Sequence, residues 1–243
     1  AGRVQRHRWR PLPDPGTAAG YAASVDDDFR FTIKAPNSIT LTHVYNRSRK
    51  DAGAANPRFL STELTEEFLA TIDALRSRCD AIMFQFEYLN RQKISGQAEL
   101  LDRLAAFFAA LPNGWPYAIE LRNPKFLTRP YFELLAHHGI VHVFAEGYYL
   151  PPVTELYQNY GDSLIPRSVV RLLGRERERM DRISEKRWDR RLDPKDGELK
   201  LIADMVKDML DRSFEVTVNV NNHYEGSAPA TIDVLRRYLT GHE

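Results

Sequence analysis

Cysteine is nearly absent from this chain of 243 residues, in which Cys79 is the only one. An intramolecular disulfide is therefore excluded, and so is a zinc site built mainly from thiolates. Because a chain without disulfides suits a reducing compartment, we expect a cytoplasmic protein.

Long apolar runs and an excess of one charge are lacking as well. The longest fully apolar run covers residues 104–111, whereas a membrane-spanning helix needs about 18 or more such residues. The formal net charge is +1, so no overall electrostatic attraction draws the chain to nucleic acid or to a membrane. We expect no membrane partner.

Several motifs that identify cofactors are missing. The sequence contains no P-loop and no GxGxxG motif, which disfavours nucleotide binding. It also lacks metal-ligand spacings such as HExxH, so no metal site is predicted, and a metal held by Glu120, Glu146 and His223 is an alternative without such support. The sequence does not identify a cofactor.

The most informative stretch that is present covers residues 215–226 and reads EVTVNVNNHYEG. Three valines alternate with Thr217, Asn219 and Asn221, a period of two that predicts a strand. The strand ends in two amides and an imidazole, and a helical pattern follows. In parallel α/β folds, ligands bind at that end of the strands.

The rest of the chain alternates in the same manner between strands and helices. Helical stripes lie between the strands, and no obvious hairpin turn joins any two of them, which predicts a parallel sheet and an α/β fold. Residues 148–166 are expected to form a long loop. The predicted strands cover residues 29–36, 81–86, 115–124, 140–147, 168–174 and 215–221.

Several segments together resemble the YecE-like family of unknown function (domain of unknown function 72). They read, in order, FRFTIKAPNSITLTH, FQF, AIELRNP, RLLGR and VNVNNHYEGSAPATIDVLRRYL. The resemblance implies a TIM-type (β/α)₈ barrel whose first two strands are not legible in this chain. Residues 1–26 would be an N-terminal remnant of the barrel start, and residues 27–243 the barrel domain. It implies a fold and no reaction.

Strand parity then predicts a site. In a barrel, alternate residues face the lumen and the helix layer, and we expect the apolar set of each strand to face the helices. The other set is polar in every strand and lies mainly near the carboxyl ends, where TIM-barrel active sites form. Its members are Thr32, Lys34, Gln85, Glu120, Arg122, His142, Glu146, Arg171, Asn219, Asn221 and His223.

These residue types suggest an enzyme acting on an anionic or phosphorylated substrate by acid–base or hydrolytic chemistry. Glu120, Glu146 and His223 are the candidate catalytic residues. The two glutamates are candidate general acid and base groups, because close carboxylates in a dry pocket separate in pKa, and His223 would orient the ligand or polarise an oxygen. The candidate substrate-binding residues are cations, which hold anions, and amides, which orient a ligand: Lys34, Gln85, Arg122, Arg171, Asn221 and Asn222.

Other interpretations remain open. Glu120 and the arginines can form an internal ion network in a scaffold without activity, and His142 can be a core histidine. Residues 175–191 hold eight basic and five acidic residues with Trp188 among them. Alternating charge of this kind is typical of a solvated helix, but arginine and tryptophan also suit a nucleic-acid binding or processing protein.

Overall fold

The strands form where short runs of β-branched and aromatic residues favour a pleated, packed surface. The computed structural model describes residues 12–44, 53–147, 149–174 and 177–241. All six predicted strands are confirmed, and each described pair, β1–β2, β3–β4, β4–β5 and β5–β6, is parallel. The strands are β1 (Phe31–Lys34), β2 (Cys79–Gln85), β3 (Tyr117–Glu120), β4 (Val141–Gly147), β5 (Arg167–Gly174) and β6 (Glu215–Val220).

Helices separate the strands along the chain, which confirms the α/β class. The longer helices bury one apolar face each, as their 3.6-residue periodicity predicts. The helices are α1 (Pro15–Ala23), α2 (Asn37–Thr40), α3 (Thr62–Thr71), α4 (Gln97–Ala109), α5 (Arg129–His137), α6 (Val153–Tyr160), α7 (Arg177–Ser184), α8 (Asp196–Asp211), α9 (Asn222–Glu225) and α10 (Ala228–Thr240).

The chain divides into two compact units, residues 1–117 and residues 118–243. In the first unit, β1 and β2 pair in register from Thr32 with Ala81 onward. The N–H of Ile82 donates to the carbonyl of Pro116 at 2.7 Å. Phe84 packs edge-on against Phe107 of α4, with ring centroids 5.2 Å apart. This aromatic contact ties β2 to the helix that follows it.

The second unit contains β4, β5 and β6, which lie side by side in chain order. The register sets Ala145 beside Arg171, and Arg171 beside Asn219. Side chains of register partners in a parallel pair point to the same face. Arg171 and Asn219 therefore share one face of the sheet with Ala145.

The prediction of a loop over residues 148–166 is wrong, because this stretch contains α6 and a 3₁₀ turn. Pro152 occupies the N-cap position, and Val153, Leu156 and Tyr157 form the buried stripe of a short amphipathic helix. The two adjacent prolines suggested a break in regular structure, whereas proline is also common at the first turn of a helix.

The described residues contain six strands, so the eight-stranded barrel is not seen in full. Part of the predicted N-terminal remnant, residues 1–11, lies outside the described residues, as does Tyr148. No helix in the described part of the chain is long and apolar enough to cross a membrane.

Candidate functional site

A buried carboxylate flanked by two guanidinium groups lies on the face that Arg171 shares with Ala145. Glu120 ends β3 and is completely buried. Its Oε1 accepts a hydrogen bond from Nε of Arg122 at 2.9 Å. Its Oε2 accepts from Nη1 of Arg171. The sequence grouped these three residues by parity, and the structure brings them together.

The local sequence explains how they meet. Arg122 follows Glu120 by two residues, so strand alternation returns it to the same side. Arg171 lies on β5 and reaches past β4 to Glu120, and Ala145 of β4, its register partner, presents only a methyl group there. A larger side chain at that position would fill the space that the guanidinium uses.

The three side chains differ in charge and in exposure. Two positive charges surround one negative charge, and the side chains of Arg122 and Arg171 stay 26% and 19% exposed while Glu120 is inaccessible. In this structure, solvent reaches the two cations and not the carboxylate. A guanidinium presents five N–H donors in a fork that matches carboxylate and phosphate oxygens.

His223 lies in α9, beyond the end of β6, and both of its ring nitrogens face oxygen atoms. Oδ1 of Asn221 accepts from the backbone N–H of His223 at 2.9 Å and lies 2.7 Å from Nδ1. Because an amide oxygen can only accept, Nδ1 is the donor to it. Nε2 lies 2.8 Å from Oδ1 of Asp181, an ion pair when the ring is protonated.

Tight backbone packing holds α9 against the end of β5. Gly174 has φ of +78°, and a Cβ there would lie 2.1 Å from the carbonyl oxygen of His223. The backbone N–H of Asn221 donates to the carbonyl of Leu172 at 2.8 Å. His223 therefore lies at the carboxyl end of β5, the strand in which Arg171 precedes Gly174 by three residues.

The residue that sequence reasoning missed in this region is Glu225. Its side chain is completely buried and accepts from Nε and Nη2 of Arg191 at 2.9 and 2.7 Å. It also accepts from the backbone N–H of Lys195 and from the hydroxyl of Thr231. Its carbonyl accepts from the backbone of Leu192. Glu225 thus fastens the end of the charged segment to α9.

A signal for this role exists in the sequence. Gly226 follows Glu225 directly and has φ of +113°. A Cβ there would lie 2.7 Å from the carbonyl oxygen of Arg190. The glycine in the NNHYEG stretch therefore permits the close approach of residues 190–195, which Glu225 then holds.

The predicted inward orientation of His142 and Glu146 is wrong. The ring of His142 packs edge-on against Tyr131 and Phe132 of α5, on the helix side of β4. Glu146 pairs in register with Leu172, not with Arg171, and its Oε2 accepts from the N–H of Val153 at the start of α6. The apolar parity of β4 faces the arginines, and its polar parity faces the helices.

His142 is a buried histidine in an aromatic environment, which agrees with its interpretation as a core histidine. Nδ1 lies 3.0 Å from the hydroxyl of Tyr131, and Nε2 has no hydrogen-bond partner among the described residues. Burial lowers the pKa of His142 to about 3 and raises the pKa of Tyr131 well above its usual value. The ring is therefore neutral at neutral pH.

The other predicted ligand-binding residues are placed as follows. Oδ1 of Asn222 accepts from the N–H of Ala228 at 2.8 Å, so this side chain caps α10. Lys34 and Gln85 end β1 and β2 in the first unit, and their participation in the site stays a prediction. In the described residues, no three His, Cys, Asp or Glu side chains are grouped to hold a metal ion.

Two solved structures with a similar fold are those of DUF72 family proteins. A crystal structure of a DUF72 family protein from Enterococcus faecalis V583 matches with a TM-score of 0.65 and 19% identity, covering 96% of this chain and 82% of that one. A DUF72 family protein from Thermotoga maritima MSB8 matches with a TM-score of 0.62 and 23% identity, covering 97% and 82%. At these identities the likeness concerns the fold alone.

The family model described as protein of unknown function DUF72 matches residues 10–243, nearly the whole chain. No curated protein matches this chain. The resemblance read from the NNHYEG stretch and its companion segments is confirmed, and this chain belongs to the DUF72 family of proteins of unknown function.

Proposed function

We propose that this protein is an enzyme that binds an anionic, phosphorylated substrate at Arg122 and Arg171 and acts on it by acid–base or hydrolytic chemistry. The observation that supports the proposal is the placement of two partly exposed guanidinium groups on one fully buried carboxylate, Glu120. A carboxylate in this position orients both forks before a ligand arrives, and pre-oriented donors bind an anion with little reorganisation.

The proposal divides the work among these residues. Arg122 and Arg171 hold the anionic group of the substrate. Glu120 either keeps the two arginines in place or exchanges a proton with the substrate, as the sequence-based hypothesis assigns. His223, at the carboxyl end of β5, supplies a further polar group for the reacting oxygen. Glu146 stays a predicted participant.

Binding of inorganic phosphate tests the anion site. In titration calorimetry at low ionic strength, Arg171→Gln is expected to bind phosphate at least about tenfold more weakly, because a charge-assisted hydrogen bond is worth roughly 1.5–3 kcal/mol. Arg167→Gln is the matched control, since Arg167 begins the same strand and pairs with the exposed Glu215. Equal affinities for the two variants would remove Arg171 from the site.

Glu120→Gln separates the two roles of Glu120. If the carboxylate exchanges protons, hydrolysis of a panel of phosphate monoesters should fall by roughly 10² or more while phosphate binding persists. If it orients the arginines, phosphate binding falls as well. A loss of melting temperature with neither defect would favour the scaffold without activity.

We further propose the (β/α)₈ barrel for the complete fold, with β1 to β6 as its third to eighth strands. The parallel pairing of consecutive strands with helices between them supports it. An experimental structure that shows an open sheet of six strands with no further strand pairing would contradict it.

The nucleic-acid alternative has less support. Trp188 lies against the ring of His223, with centroids 4.9 Å apart, which leaves less of it for stacking on a base. Four cations of the charged segment are ion-paired within the described residues: Arg177, Arg179, Arg187 and Arg191. In a log–log plot, the affinity of a duplex-binding protein for an oligonucleotide falls with salt with a slope of about −0.9 for each phosphate contacted. A slope that corresponds to several phosphates would support the alternative.

A further inference from the structure

His223 is bound to a carboxylate from elsewhere in the chain, although it lies at the edge proposed for an anionic substrate. The carboxylate is that of Asp181, which lies 42 residues earlier in α7. Nδ1 of the imidazole is engaged by Asn221, so Nε2 is the ring nitrogen that an external anion would contact. Asp181 occupies that position in this structure.

The two partners are held very differently. The side chain of His223 is 16% exposed, and that of Asp181 is 41% exposed. His223 is fixed by Asn221 through two contacts and by the close approach of its carbonyl to Gly174. If the contact separates, the histidine keeps its place and Asp181 moves.

Helix α7 is weakly anchored. Its buried residues are Met180 and Ser184, whereas α8 buries six. It is followed by Glu185 and Lys186, which both have positive φ. This conformation costs a non-glycine residue about 1–2 kcal/mol. Elements with few buried contacts open at low free energy.

The C-terminal end of the charged segment that contains α7 is held in place. Arg191 and the backbone from Leu192 onward are held by Glu225, as described above. Movement of α7 is thereby confined to the residues before Arg191. Helix α9 carries both His223 and Glu225. The histidine and the carboxylate that holds the end of the segment therefore belong to one short helix.

We propose that Nε2 of His223 is a second anchor for the anionic group of the substrate and that Asp181 is an internal carboxylate that occupies this anchor until the substrate displaces it. The inference rests on the proposed function, because it assigns His223 and Arg171 to one anion site. It identifies Asp181 as the residue that competes with the ligand. It also identifies α7 as the helix that moves away when the ligand binds.

Asp181→Asn tests the competition, because asparagine keeps the shape of the side chain and removes its charge. Glu185→Gln is the control: Glu185 lies in the same segment, is 72% exposed and pairs only with Arg187 among the described residues. Inorganic phosphate is expected to bind Asp181→Asn more tightly than Glu185→Gln, by roughly twofold to fivefold, because a partly exposed ion pair is worth up to about 1 kcal/mol.

Two further measurements separate competition from a general charge effect. Adding His223→Gln to Asp181→Asn should abolish the gain in phosphate affinity, and a gain that survives would overturn the proposal. Amide hydrogen exchange in 177–184 should be faster in Asp181→Asn than in Glu185→Gln, and it should rise in the unsubstituted protein when phosphate is added. Unchanged exchange in both comparisons would also overturn it.

The outcomes distinguish this inference from the function on which it rests. If Arg171→Gln weakens phosphate binding but Asp181→Asn and Glu185→Gln behave alike, the anion site stands and the competition by Asp181 is wrong. If neither the unsubstituted protein nor Asp181→Asn binds phosphate, both proposals fail. If Asp181→Asn binds more tightly and Arg171→Gln has no effect, the anchor at His223 stands without the arginine site.

Discussion

Replacing Glu225 with glutamine should destabilise the protein far more than removing an ordinary surface charge. Each oxygen of this buried carboxylate accepts two hydrogen bonds. Oε1 accepts from Nη2 of Arg191 and the N–H of Lys195, and Oε2 accepts from Nε of Arg191 and the hydroxyl of Thr231. In either orientation, the amide N–H₂ of glutamine would face an N–H of Arg191, so one hydrogen bond to the guanidinium is replaced by two opposed donors.

The magnitude follows from the burial of this group. The side chain of Glu225 is 0% exposed and that of Arg191 is 16% exposed. Removing one partner of a buried ion pair costs about 3–5 kcal/mol, because the remaining charge stays desolvated. The arginine is strongly engaged, since the hydrogen bonds that it donates to Glu225 and Asp196, opposed by burial, raise the pKa of Arg191 above its usual value. A loss of this size is a large part of the typical 5–15 kcal/mol of folding stability.

Urea denaturation of Glu225→Gln and Glu215→Gln, monitored by circular dichroism, provides the comparison. Glu215 pairs with Arg167 at 3.2 Å, but its side chain is 76% exposed, so its replacement should change stability by no more than about 1 kcal/mol. A loss below about 1 kcal/mol for Glu225→Gln would refute the assignment of Glu225 as a buried clamp. If Glu225→Gln does not fold at all, Thr231→Val removes one of the four donors, and a loss of roughly 1 kcal/mol is then expected.

Two other perturbations test the structure around the site. Because burial lowers the pKa of His142 to about 3 and the unfolded chain titrates near 6.5, its contribution to stability is present above about pH 6.5. That contribution is lost as the pH falls toward 3. From pH 7 to pH 5, the unfolding free energy should fall by roughly 2 kcal/mol more than it does in His142→Phe, because the limiting slope of about 1.4 kcal/mol per pH unit is reached only below the unfolded pKa. Parallel curves would contradict the argument. Gly174→Ala should destabilise by at least about 1–2 kcal/mol through its positive φ alone, with added strain from the contact with His223. By contrast, Gly197→Ala in α8, where a Cβ meets nothing within 4 Å, should be neutral or stabilise the helix by up to about 1 kcal/mol. Thermal denaturation distinguishes the two glycine variants.

Local sequence patterns were sufficient for the strands and for part of the site. The alternation in EVTVNV predicted β6, and the residues Glu120 and Arg122 were assigned to one side of β3 because alternate residues in a strand share a face. Arg171 was added by the same rule on β5. These assignments depend on neighbours in the chain, and the structure agrees with them.

Strand alternation did not determine which face of β4 packs against the helices. Parity divides VHVFAEG into two sets, but it does not say which set faces the helices. The polar set was assigned to the lumen, whereas the aromatic rings of α5 surround His142 and the start of α6 binds Glu146. The helix layer holds both polar side chains, because Nδ1 of His142 contacts the hydroxyl of Tyr131 and Glu146 caps α6. Polarity alone therefore did not identify the face.

Contacts between distant residues that strand alternation does not relate were decided by the tertiary structure alone. Asp181 meets His223 across 42 residues, and Arg191 meets Glu225 across 34. No local period relates such pairs, because the chain leaves the sheet in α7 and returns through α8 and β6. Sequence by itself determined the α/β class, the six strands and the Glu120 group. Tertiary packing decided which carboxylate faces His223 and which one clamps the charged segment, since only the folded chain brings residues so far apart in sequence within hydrogen-bond distance.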